Sequence, residues 1–191
     1  MSERTGGLGH SAGAGAGQLP RVRIGDDEAM ADYLLPRIPA SAGGLIGDGS
    51  GLLLILKPTY KAGWTIPGGQ IEADGETPWE GCQREVAEET GLTVTSGRLV
   101  CVDFLRPKPG RPGGLRFLFD CGTVGDDERD GIVLQVDEIS EYRWAPPDEA
   151  ARLLSGPVGR RVGQGLTTPT TVYLEEGRPV AAVPSAAVPG E

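Results

Sequence analysis

The stretch Arg84-Glu85-Val86-Ala87-Glu88-Glu89-Thr90-Gly91-Leu92 places three carboxylates within five positions, with an arginine before them and a glycine after. On a helix turning about 100° per residue, with Glu85 as origin, Glu89 falls near +40° and Glu88 near −60°. The three share one face, where like charges at i, i+3 and i+4 repel. A solvated acidic face is the bland explanation. A hard divalent cation, which prefers oxygen ligands, is the chemical one. Two features favour the second. Trp79, Cys82, Val86 and Thr90 form a separate stripe fit to face a core. Gly81 sits amid the acidic face, where glycine costs about 1 kcal/mol against alanine and gives only space.

The helix ends are written in the sequence. Thr77-Pro78-Trp79-Glu80 reads as a capping box with proline at the first helical position, and Gly91 as a left-handed stop. Upstream, Pro67-Gly68-Gly69 is a tight bend that lets backbone approach a ligand. Glu72 and Glu76 add acceptors able to fold back on the acidic helix.

Gly69 to Leu92 resembles the Nudix box, G-x5-E-x7-R-E-U-x-E-E-x-G-U with U apolar. Glu76, Arg84-Glu85-Val86, Glu88-Glu89 and Gly91-Leu92 fit. Six residues instead of five separate Gly69 from Glu76, most simply through an extra Asp74. The resemblance implies an α+β fold, an α/β/α sandwich with a mixed β-sheet. It also implies metal-assisted attack of water on a diphosphate linkage. Glu85, Glu88 and Glu89 are carried over as metal ligands, with Glu85 or Glu89 as base. Arg84 is carried over as the group orienting a catalytic carboxylate. Gly68 or Gly69 could add a carbonyl to the metal shell, and Glu138 or Glu141 could serve as the downstream glutamate many members recruit. Mg²⁺ is the implied ion, with Mn²⁺ as substitute. Lys57 and Lys61 precede the glycine bend and could touch substrate phosphates, as Glu138 could touch the substrate. Trp64 and Trp144 read as core.

Composition sets the limits. The chain of 191 residues carries a net charge of −9, which argues against a nucleic-acid surface but not against a phosphate substrate met by bound cations. His10 is the only histidine and lies in a Gly/Ala/Ser-rich leader, which leaves acid–base work to carboxylates. Cys82, Cys101 and Cys121 have no metal-like spacing and read as reduced thiols of a cytoplasmic protein. No stretch reads as a signal peptide or a membrane span. The expected division is a mostly disordered leader over 1–35, a Nudix domain over 36–180 and a flexible tail over 181–191.

Strands are expected at Ser41–Ile46 and Gly51–Lys57 around a Gly47–Ser50 turn, then at Arg98–Leu105, Leu115–Val124, Gly131–Val136 and Glu141–Trp144. Helices are expected at Pro147–Leu154 and Gly159–Leu166, and a hairpin at Thr171–Leu174 and Arg178–Val180. The functional expectation is a hydrolase cleaving a nucleoside diphosphate derivative: a nucleoside triphosphate, an ADP-ribose-like compound or a sugar nucleotide. Its partner is that small molecule, not nucleic acid or membrane, and a homodimer stays open. One alternative is a catalytically silent nucleotide-binding or regulatory module on the same fold. A more remote one is an isoprenoid diphosphate isomerase using a cysteine.

Overall fold

A computed structural model describes residues 37–154 and 156–183. Its strands are β1 (Ala40–Asp48), β2 (Leu53–Pro58), β3 (Gly68–Gln70), β4 (Arg98–Leu105), β5 (Gly114–Val124), β6 (Ile139–Ala145), β7 (Val172–Glu175) and β8 (Arg178–Pro179). Its helices are α1 (Pro78–Thr90), α2 (Asp126–Asp130), α3 (Pro147–Leu153) and α4 (Gly156–Thr167). The leader, His10 and most of the expected tail lie outside the described residues.

One mixed sheet runs β6-β2-β1-β5-β4-β7-β8, and β3 adds to β1. Because strand side chains alternate between faces, the apolar run of β2 serves two cores at once. Leu53 and Ile55 join Leu45, Leu118, Ala150 and Val162 on the face carrying α3 and α4. Leu54 and Leu56 join Ile46, Cys82, Val86 and Phe119 on the face carrying α1. This is the expected α/β/α sandwich. Trp79 stacks edge-on to Phe119 at 5.1 Å, so the apolar stripe of α1 meets the sheet as its spacing predicts. Trp64 and Trp144 pack against the two cores.

β1 is the strand that places the site. It pairs in parallel with β5 from Ala40↔Leu115 to Asp48↔Val124, and antiparallel with β3 at Ser41↔Gln70, Ala42↔Gly69 and Gly43↔Gly68. The glycine bend expected before α1 is therefore partly strand, with Gly68 at φ 143° pressed against the Ala42 carbonyl.

Two expectations need correction, and one short helix is not among those expected. The β1–β2 turn begins later than Gly47, because the Asp48 carboxylate accepts from the amides of Ser50 (2.9 Å) and Leu52 (2.7 Å) and builds the turn beyond itself. Gly131–Val136 is not a strand. Val133 donates to the Thr90 carbonyl at 2.9 Å and so caps the end of α1, while Val133 and Val136 stay exposed. The preceding acidic run forms the short helix α2, which no apolar period announces.

Cys82 and Cys121 come together behind Gly44. Contact with Cys121, and then burial, hold the Cys82 thiol protonated, and burial pushes Cys101 up to about 12. Among the described residues no helix is long and apolar enough to cross a membrane.

α4 lies close on the sheet because Gly165 has no side chain. A Cβ there would stand 3.0 Å from Val100 and 3.2 Å from both Leu118 and Leu45. Gly165→Val should cost about 1–3 kcal/mol through overpacking. The measurement is the urea midpoint; an unchanged value would mean that α4 lifts without penalty.

Candidate active site

α1 is fixed at both ends as its sequence dictates. Thr77 and Glu80 close a reciprocal capping box, Pro78 opens the helix, and Gly91 leaves it at φ 73° with its amide on the Ala87 carbonyl. This rigid frame presents Arg84, Glu85, Glu88 and Glu89.

Arg84 ties the site together. Its guanidinium holds Glu76 through Nε (2.7 Å) and Nη2 (3.1 Å), and reaches the Gln70 carbonyl at 2.9 Å. The same side chain donates through Nη1 to Glu85 and to Glu88, each at 3.0 Å. Glu76 answers by accepting from the Glu72 amide as well, and these bonds, led by that from Arg84, hold its carboxyl below the usual range. Arg84 is thus a clamp between the loop and the helix, not a surface ion pair. Gly81 makes room for that loop: a Cβ there would meet Glu76 at 3.0 Å.

Glu89 is buried, with 3% exposure. One of its oxygens accepts from the Gly68 amide at 2.8 Å. Burial outweighs that bond and, with the charges of Glu85 and Glu138, pushes the Glu89 carboxyl up to about 7. Glu85 is also raised by burial, against the pull of Arg84. Its carboxylate lies against Gly69, where an added Cβ would overlap it.

These groups line a cavity of about 640 Å³. Glu85, Glu89, Glu138, Gly69 and Lys61 belong to its wall. Partial enclosure lowers the Lys61 ammonium from its ordinary value, and Glu89 opposes that shift. Three expected residues, Lys57, Glu141 and Glu88, lie elsewhere. Lys57 is not part of the wall: it pairs with Glu141 at 3.6 Å on exposed strand surface, because the β2–β6 register sets the two opposite one another. Glu88 is half-exposed and engaged by Arg84, also outside the cavity wall. Cys82, Cys101 and Cys121 do not reach the cavity, so nothing here supports an isomerase thiol. Sequence reasoning missed the dual hold of Arg84 on Glu76. It also missed a basic group formed by Arg111, Arg116 and Arg161, which only the fold brings together.

Among the described residues no three His, Cys, Asp or Glu side chains stand ready to hold a metal ion. The donor chemistry nevertheless fits a hard cation. Glu85, Glu89 and Glu138 are all oxygen donors, and Glu89 is raised by burial first and then by the charges of the other two.

That shift has a measurable sign. The ordinary value for Glu89 is 4.5 and its folded value about 7, so the protonated form is favoured on folding. The associated stability is present below the ordinary value and is lost as pH rises through about 7. Metal-free Glu89→Gln should therefore outlast the wild type at pH 8, by on the order of 2–3 kcal/mol, and lose that advantage by pH 5. Denaturation in EDTA at the two pH values checks this; an equal gap at both would show that Glu89 ionises without strain.

Comparison with known proteins agrees with this geometry. The family model for the NUDIX domain matches residues 37–163. A MutT-like protein of Streptomyces ambofaciens is 32% identical over 120 residues, spanning 63% of this chain and 71% of that protein. The MutT protein from Methanosarcina mazei Go1 is similar in structure with a TM-score of 0.56 and 25% identity, over 68% of this chain and 96% of that one. The NUDIX domain of Shewanella oneidensis NrtR, solved with ADP ribose, reaches a TM-score of 0.59 over 74% of this chain and 92% of that one. At 13% identity that likeness concerns the fold alone. The chain belongs to the Nudix hydrolase family, enzymes that act on diphosphate bonds and generally use divalent metal ions.

Proposed function

We propose that this chain hydrolyses the diphosphate linkage of a nucleoside diphosphate derivative in a Mg²⁺-dependent reaction, with Mn²⁺ able to substitute. The observation that carries this reading is the pair Glu85 and Glu89 on the cavity wall, beside Gly68, Gly69 and Glu138. When bound among these oxygens, the cation would neutralise phosphate charge and lower the pKa of a water.

The chain's own residues supply the rest. Arg84 holds Glu85 in place, so the carboxylate does not need to reorganise when substrate arrives. Gly68 fixes one oxygen of Glu89 and leaves the carboxylate free to take a proton from water through the other. Glu85 is the second candidate base. Lys61 stands on the cavity wall where a phosphate can meet its ammonium. Glu138 also belongs to the cavity wall, where it would meet the substrate. Glu88, carried on the same helix face and held by Arg84, would complete the ligand set.

Nucleoside triphosphates, ADP-ribose-like compounds and sugar nucleotides are the substrates to screen, with Mg²⁺, with Mn²⁺ and with EDTA, identifying products by mass. Metal-dependent cleavage of one class is the expected result. Silence across the panel, with ligand-induced thermal shifts retained, would point instead to a ligand-sensing module. Glu88→Gln should lower turnover at least about a hundredfold, as losing a preorganised electrostatic contact does. Near-wild-type turnover in that variant would remove Glu88 from the site.

The domain is taken to span 36–180, in a cytoplasmic protein. A chain lacking residues 1–18 should keep its activity, measured as kcat/KM on the substrate found. A large loss would move the domain boundary towards the amino terminus.

A further inference from the structure

The cavity that begins at Glu85 and Glu89 ends in arginines. Arg116 on β5 pairs in register with Ser41 of β1 on one side and Asp103 of β4 on the other. Gln70 of β3 lies beyond Ser41, so Arg116 stands two strands from the glycine bend, about 10 Å at the usual strand spacing. It shares the sheet face of Leu118, the face that α4 covers, and there Arg161 of α4 meets Asp103.

Asp103 should be Arg116's partner by register, but it is already saturated. One of its oxygens takes Arg161 Nε at 3.1 Å and Nη2 at 2.9 Å, and the other takes the Gly177 amide at 2.9 Å. Arg116 is left with two main-chain carbonyls, Leu115 at 2.8 Å and Gly113 at 3.0 Å. No carboxylate pairs with it among the described residues. Arg111, the third arginine of the group, touches Glu176 only loosely at 3.7 Å, and Lys108 holds the same carboxylate at 3.0 Å. Four cations thus face two carboxylates, both engaged.

This arrangement is costly without a ligand. Burial, and then the charges of Arg161 and Arg111, disfavour the Arg116 cation, with Asp103 opposing them. Taking an arginine partly out of water without a carboxylate partner costs free energy. A guanidinium fork facing a cavity with no carboxylate of its own is suited to a bidentate oxyanion. Several convergent positive charges favour a dianionic phosphate over a carboxylate.

We propose that Arg116, flanked by Arg111 and Arg161, forms a second anion subsite, which receives a phosphate group carried on the substrate beyond the diphosphate that is cleaved. The assignment of that phosphate to a substrate rests on the hydrolase reading above, and it narrows the substrate class to diphosphates bearing a further phosphate on the distal group. Arg116 would bind that group; Arg161, locked on Asp103, positions the wall beside it.

The subsite can be tested apart from catalysis. In EDTA, inorganic phosphate is titrated into isotope-labelled full-length protein while the arginine Nε–H resonances are followed. The Arg116 and Arg161 signals should shift saturably. Arg116→Met, read on Arg161, should weaken binding about tenfold or more, with Arg116→Lys intermediate because it keeps the charge and loses the fork. Equal phosphate affinity in wild type and Arg116→Lys, or no saturable shift, overturns the subsite; the lysine variant serves this purpose if the methionine variant fails to fold.

A second arm compares ADP-ribose with ADP-ribose carrying a phosphate on its terminal ribose. The phosphorylated compound should show the higher kcat/KM, and Arg116→Lys should erase the preference mainly through KM. Equal kcat/KM for the two compounds in the wild type would overturn the substrate assignment. Phosphate binding that depends on Arg116, with neither compound cleaved, leaves the subsite standing and counts against the hydrolase reading instead.

Discussion

The organising interaction is the five-point hold of one guanidinium. Arg84 joins Glu76 and Gln70 of the loop to Glu85 and Glu88 of the helix, so the loop that forms β3 and the helix that carries the carboxylates move as one body. Without that hold, the acidic residues of α1 and the loop would repel each other across the interface that must stay closed. β3 then hands the assembly to β1 through the pairs Ser41↔Gln70 and Gly43↔Gly68. Because β1 is also the parallel partner of β5, the loop that anchors the carboxylate helix and the strand that carries Arg116 are held on one shared strand.

The cavity is therefore bipolar. At one end burial crowds Glu85 and Glu89, with the charge of exposed Glu138 beside them; at the other, guanidinium groups exceed the carboxylates available to them. Each end holds charge that the fold alone leaves uncompensated. Such local conflict in an otherwise consistent structure is where function is expected.

Local chemistry made much of this readable beforehand. The caps of α1, its apolar stripe and its acidic face depend on neighbours within a few residues, and they appear where Thr77, Pro78, Glu80, Cys82, Val86 and Gly91 place them. β4, β5, α3 and the β7–β8 hairpin follow from their own patterns in the same way. What could not be read depends on partners distant in sequence. Gly131–Val136 has the apolar content of a strand, but its Val133 amide goes to the Thr90 carbonyl, and it caps a helix instead. Lys57 precedes the glycine bend by few residues, yet strand register turns it towards Glu141. Arg116, Asp103 and Arg161 come from three elements, and no spacing in the chain announces their meeting.

The additional residue in the loop before α1 also has a consequence. Residues Ala73 to Gly75 absorb it as a turn: Gly75 takes φ 106°, and the Asp74 side chain accepts the Glu76 amide at 3.1 Å. Both anchors of the segment, Gly69 against Glu85 and Glu76 on Arg84, stay engaged despite the added length. What specifies this site is a closed ring of contacts, and the number of residues between its anchors is free to drift. A search template that demands a fixed interval there would pass over chains like this one, whereas a template written on the ring would retain them.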